Sequence, residues 1–322
     1  MNKYLLRRIY QTVLVLLIVV TIVFVLFRLL PGDPTDMMVD QSFDEVTRKR
    51  LLAEWGLDAP LHEQYLVFIK NLLQFNFGES FYYRVPAGKA IYLCLWNSIV
   101  LMGTAMAMSL SAGFVLGIYL GWRRGSRRER FMLVFAMFLR ATPIFWSGII
   151  LLMILTYWAA LFPTGGMRSL GYSAKNLFWT YFSFDFLYHW FLPFLTATLH
   201  FMVDPLMVTR TSMLEVKGED FLEFGQSLGF SEMALMRHCG RNALLPVVTY
   251  TAIMMGFVFG GQVLLEVIFA WPGMGREMVL AIERRDYPVA QASFLIMATV
   301  VILMNFVIDL LYGYLDPRIK YG

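Results

Sequence analysis

Charge, cysteine and histidine are all scarce in this chain. Only 16% of its 322 residues are charged, against about a quarter in soluble globular domains. The two cysteines, Cys94 and Cys239, are expected on opposite sides of a membrane and so not to pair, and no disulfide framework or cysteine metal site follows. The four histidines, His62, His189, His200 and His238, show no metal-ligand spacing, so neither a metal nor a cofactor is expected. No Gly-x-x-x-x-Gly-Lys-Ser/Thr phosphate loop, His-Glu-x-x-His or Gly-x-Ser-x-Gly occurs, which argues against an enzyme and against an ATPase in particular. A net charge of +4 is too modest for a nucleic-acid footprint. What is abundant is apolar surface: 58% of the residues are hydrophobic and mean hydropathy is +0.61, which marks an integral membrane protein.

A helical span needs about 20 mostly apolar residues. Six stretches qualify, roughly Ile9 to Leu30, Ile99 to Trp122, Leu139 to Leu161, Leu192 to Val208, Leu244 to Phe269 and Ala290 to Leu315. The expected fold is therefore all-α and polytopic, with six transmembrane helices. The first run follows Lys3, Arg7 and Arg8, is too long for a signal-peptide core and lacks a cleavage site, so it reads as an uncleaved anchor. Arg123, Arg124, Arg127, Arg128 and Arg130 crowd one loop, while Arg210, Lys217, Arg237 and Arg241 flank another. Both loops then belong in the cytosol, and so do the N- and C-termini. Residues 31–97 form an extracytoplasmic segment long enough to cross despite its own basic residues. Arg276, Arg284 and Arg285 are a local exception on a short outer loop. The chain divides into residues 1–30 (tail and first helix), 31–97, and a five-helix core, 98–322. The aromatic run from Phe178 to Trp190 is expected at headgroup level before the fourth span.

Between the fourth and fifth spans lies a polar stretch, 215–242, that reads as two short helices broken at Gly229. Only glycine enters the left-handed region there without steric cost. Ser231 offers an N-cap to the next helix, with Glu232 in its first turn. Phe221, Phe224 and Leu228 recur at spacings of three and four on one face of the first helix, away from Asp220, Glu223 and Ser227. Such a face suits an anchor in a partner's groove, or the apolar side of a loop resting on the membrane surface.

Ionisable residues inside spans are costly and tend to face a bundle interior or water. Arg28, Arg140 and Glu266 lie near span ends and read as interfacial. Asp204 and Asp309 lie deeper. Pro205 lacks an N–H and frees a carbonyl in the preceding turn, so Asp204 marks a polar, kinked point, either an interhelical tie or part of a solute path.

The order of short motifs along nearly the whole chain resembles the permease subunits of bacterial ATP-driven importers of the dipeptide, oligopeptide and nickel type. The matching elements are the opening span with Pro31-Gly32-Asp33-Pro34, the segment from Leu51, Asn97-Ser98, Pro163 to Gly166, Arg210 to Val216, Trp271 to Arg276, Arg285 to Pro288 and Asp316-Pro317-Arg318. Glu223 to Gly229 aligns with the family's Glu-Ala-Ala-x-x-x-Gly loop, with Phe224 in place of a small residue, Gly225 still small and Gly229 matching. The resemblance implies that Phe221, Glu223, Phe224, Gly225, Leu228 and Gly229 form a coupling helix seated in an ATPase cleft. It further implies a bacterial inner-membrane protein partnered by a second homologous permease, two cytosolic ATPases and an extracytoplasmic solute-binding protein. The competing readings are an ion-coupled secondary transporter or channel using Asp204 or Asp309, and a membrane scaffold with no flux of its own.

Overall fold

The computed structural model describes residues 2–29, 59–172, 176–244, 246–247, 250–251, 254 and 262–315. These are helical almost throughout. In chain order the helices are α1 (Asn2–Leu29), α2 (Leu61–Leu73), α3 (Ala87–Trp122), α4 (Arg127–Ala141), α5 (Ile144–Leu151, continued by a π-helical turn, Leu152–Trp158), α6 (Leu177–Phe182) and α7 (Phe184–Phe201). They are followed by α8 (Val203–Val216), α9 (Asp220–Ser227), α10 (Glu232–Asn242), α11 (Val263–Ile268), α12 (Met274–Glu283) and α13 (Tyr287–Leu315). Among the described residues four helices are long and apolar enough to cross a membrane, or five if one bent pair counts as a span. Pro31–Pro34, the start of the Leu51 segment through residue 58, Asp316 to Arg318 and residues 245, 248–249, 252–253 and 255–261 of the expected fifth span fall outside the described residues.

The sequence boundaries shift wherever a cap or a proline decides them. The third span, expected as a continuous run from Leu139, is broken: α4 and the helix from Ile144 meet at 106°. The cause is Pro143, because a residue preceding proline is pushed out of the α region, and Thr142 is extended at ψ 126. The fourth span starts earlier than Leu192. Ser183 accepts the N–H of Phe186 and caps a helix at Phe184, so the aromatic run is helical rather than a connection. Pro205 cannot donate to the Phe201 carbonyl, and the helix is interrupted at Met202, between α7 and α8.

The chain forms two compact units, Met1–Asn97 with Pro272–Gly322 and Ser98–Trp271. In the first, Val20 and Val23 of α1 pack on Leu295 of α13, and Arg8 reaches Asp309 at 2.8 Å. Ala87 and Ile91 of α3 pack with Met274 and Ala281 of α12 and with Val289 of α13. Asp286 ties the segment before α3 to α13: its carboxylate accepts the Ser80 hydroxyl at 2.5 Å and the N–H groups of Phe81 and Tyr82. In the second unit, Leu101, Met102 and Ala105 of α3 join Leu192 and Ala197 of α7 around Phe269 and the fully buried Trp271.

Within the second unit α3 and α8 approach closely. A β-carbon added to Gly113 would lie 2.7 Å from the Met202 carbonyl, one on Gly117 2.5 Å from Thr209 Cβ, and one on Gly121 2.5 Å from Met213 Cβ. Small residues at a four-residue period let two backbones meet, a familiar device where apolar side chains gain nothing over lipid. That period, Gly113-Gly117-Gly121, is present in the sequence and was the readable signal for this helix pair.

Candidate functional site

The polar stretch 215–242 folds as two short helices. α9 ends in a Schellman motif: Gly229, at φ +77, donates its N–H to Gln226, and Phe230 donates to the Gly225 carbonyl at 3.1 Å. Ser231 then accepts the Ala234 N–H and caps α10. Leu222 and Gly225 face inward. Leu222 joins Met213, Leu235, Cys239 and Ala243 in a small core, and a β-carbon on Gly225 would come 2.9 Å from Leu235. Gly225 thus stays small because α9 lies on α10. The other side of α9 is bare: Phe221 is 40% exposed, Phe224 66% and Leu228 58%, with Phe230 and Met233 continuing the apolar surface. Glu223, away from this face, is exposed as well.

This element is tied to the end of α3. The Trp122 indole donates to Glu232 at 2.7 Å, Arg123 lies 3.6 Å from the same carboxylate, and Lys217 donates to the Trp122 carbonyl while lying over its ring. Gly240 faces Ile118, whose Cδ1 would be 2.7 Å from an added β-carbon. A second tie is the pair Glu129 and Arg210. Glu129 is buried, accepts the Gly125 N–H and takes two N–H bonds from Arg210 at 2.9 and 2.5 Å. The Ser126-x-x-Glu129 spacing is a capping-box signature, and Ser126 does cap α4 at the Glu129 N–H. The partners of Glu129 and Glu232 lie 81 and 110 positions away, beyond the reach of local sequence pattern.

One ionisable residue departs from the interfacial expectation. Glu266 is not interfacial. It is fully buried, and Ser98 donates to it at 2.6 Å, which gives the carboxylate a partner away from water. Arg140 pairs with Asp204, which also accepts the Tyr250 hydroxyl at 2.7 Å. Asp309, the other deep carboxylate, forms the ion pair with Arg8 already noted. Arg28 stays at the exposed end of α1, stacked on Phe24. Both cysteines are free thiols, and Cys239 is fully buried, where burial pushes its pKa up despite nearby Lys217. The outer arginine exception has a local answer in Arg284, which lies 4.1 Å from the Tyr82 ring centroid, donates to the Tyr83 hydroxyl and sits 3.9 Å from Glu277. Among the described residues no cluster of histidine, cysteine and carboxylate side chains could hold a metal ion.

Residues 113–321 match the family described as binding-protein-dependent transport system inner membrane component, and residues 1–98 match its N-terminal counterpart. The chain belongs to this family. It is a membrane permease component rather than an ATPase, and its place is the inner membrane. The permease is 34% identical over its whole length to all of an oligopeptide transport system permease protein of Bacillus subtilis. It is also 34% identical, over 94% of each chain, to a di/tripeptide transport system permease protein of Pseudomonas aeruginosa. A glutathione transport system permease protein of Salmonella typhimurium is 32% identical over the full length of both chains.

Proposed function

We propose that this permease forms the translocation path of an ATP-driven importer for peptides or similar small solutes, with α9 as the coupling helix. The observation that carries this is the bare apolar face of Phe221, Phe224 and Leu228 on a helix whose opposite side is rooted in the permease core. An exposed apolar face on a short helix closed by a C-terminal glycine turn suits insertion into a partner's groove. The partners are two cytosolic ATPases, which hold the phosphate-loop chemistry this chain lacks, a second homologous permease, and a solute-binding protein on the opposite side. The arrangement has six spans with both termini in the cytosol and residues 31–97 outside. The substrate class rests on the relatives, whose names record oligopeptides, di/tripeptides and glutathione.

The coupling follows from the ties to α3 and α4. Movement of α9 with the ATPases is passed through Glu232, Lys217 and Trp122 to α3, and through the α8 end and Arg210 to Glu129 at the start of α4. Coupling here means two discrete arrangements biased from a distant site. An ion-coupled transporter would use Asp204 or Asp309 as a cation site, whereas each of these carboxylates faces an arginine.

The test is co-purification with the ATPases, followed by uptake in reconstituted vesicles. Phe224→Asp puts a charge on the docking face without touching the α9–α10 core. Gly229→Val meets no neighbouring atom and acts through its positive φ alone, at a cost of about 1 kcal/mol or more. Both variants are expected to insert normally and to lose the ATPases or ligand-stimulated hydrolysis. Wild-type uptake and hydrolysis in both would remove the docking role.

A further inference from the structure

Arg140, His200, Asp204, Tyr250 and Gln262 line a cavity of about 380 Å³ in the Ser98–Trp271 unit. That is within the range of small-molecule sites, about 300–1,000 Å³. Asp204 lies roughly 18 Å of helix before Val216, far enough from that end to be at depth in a hydrocarbon core about 30 Å thick. A charge there is expensive unless it faces water or a partner. The pair meets this cost unequally: the Arg140 side chain is 59% exposed and Asp204 28%. The Tyr250 hydroxyl holds one carboxylate oxygen at 2.7 Å and Arg140 the other. His200, which also lines the cavity, carries a buried Nδ1 with no hydrogen-bond partner among the described atoms.

An arginine–aspartate pair open to a cavity can be exchanged for a solute that carries both charges. A guanidinium has five N–H donors in a fork that matches a carboxylate, and an aspartate matches an ammonium. When the internal pair opens, a zwitterion supplies a counter-charge to each partner, and the cavity stays neutral throughout. A solute with one charge leaves either Arg140 or Asp204 unpaired at depth, which is costly. We propose that Arg140 and Asp204 form a zwitterion-passing subsite, taking the terminal carboxylate and the terminal ammonium of a short peptide as it crosses. The inference rests on the permease reading given above and adds to it the chemical class that the path accepts. Because the internal pair reforms as the solute leaves, the subsite favours passage over retention.

The experiment uses the complete importer with its binding protein and ATPases in vesicles, loaded with trialanine, trialanine amide or N-acetyltrialanine, each saturating the binding protein. Uptake per complex is expressed relative to wild type for the same solute, so the binding protein's own preference cancels. Arg140→Gln is expected to lower trialanine uptake by about tenfold and trialanine amide far less, the loss of one charge-assisted contact. Asp204→Asn is expected to do the same with N-acetyltrialanine as the spared solute. The double exchange Arg140→Asp with Asp204→Arg is expected to restore the yield of complex and part of the trialanine uptake. A uniform loss across the three solutes, or a fall in complex yield with unchanged uptake per complex, overturns the subsite and leaves a purely structural ion pair. If wild type imports none of the three, the substrate class fails and the subsite with it, while retention of the ATPases by that protein shows whether the importer reading survives.

Discussion

Arg210 on α8 donates twice to Glu129 at the start of α4, and the carboxylate it holds is only 3% exposed. Removing one partner of a buried pair leaves an uncompensated charge, so Arg210→Ala is expected to cost about 3–5 kcal/mol. Glu129→Gln keeps an oxygen acceptor and loses the charge, and the double variant Arg210→Ala with Glu129→Gln recovers part of the loss. Thermal unfolding of the detergent-solubilised permease measures all three. A loss in Arg210→Ala no larger than a surface substitution would mean that the pair does not hold α4 to α8.

Gly117→Leu should separate α3 from α8, because even its β-carbon meets the Leu206 carbonyl at 2.7 Å and Thr209 Cβ at 2.5 Å. Overpacking of this kind costs about 1–3 kcal/mol or more. Gly125→Ala is the control: no atom lies within 4 Å, and only its φ of +84 is penalised, at about 1 kcal/mol. The order of unfolding midpoints, wild type above Gly125→Ala above Gly117→Leu, is the expected result.

Topology can be read from a new thiol but not from the native one. Cys239 is fully buried and its thiol pKa is raised, so it should resist maleimides from either side until the protein unfolds. Met233 is 68% exposed on α10. Met233→Cys in a background of Cys94→Ala should label only when the membrane is opened. Labelling of intact spheroplasts by an impermeant reagent would place this loop outside and end the coupling proposal.

Glu277 gives the first unit a pH dependence. Burial pushes its carboxyl above the ordinary value near 4.5, although the Tyr83 hydrogen bond and the charges of Arg284 and Arg276 pull the other way. Between the ordinary and the raised value the folded chain holds a proton that the unfolded chain has released. Stability therefore falls as pH rises through that window and levels off above the folded value. Glu277→Gln should flatten this portion of the curve, as judged by unfolding midpoints measured from about pH 4 to pH 8.

The helical class, the polar stretch with its glycine turn and the family are legible in the amino-acid order alone, because each rests on local facts. Apolar run length decides whether a helix can span, the absence of a β-carbon decides that Gly229 can close a Schellman turn, and Ser231 caps α10 from its own segment. Span limits were legible only approximately, since hydropathy does not register that Ser183 starts a helix early or that Pro143 bends one by 106°. The partners of the charged residues were decided by tertiary structure alone. Arg140 and Asp204 are 64 positions apart (204 − 140), Glu129 and Arg210 are 81, and Ser98 and Glu266 are 168. Hydropathy assigns a charge near a span end to the interface because water is the nearest solvent. Once helices pack, a buried counter-charge or hydroxyl offers that solvation instead, and which groups meet depends on how distant helices are brought together.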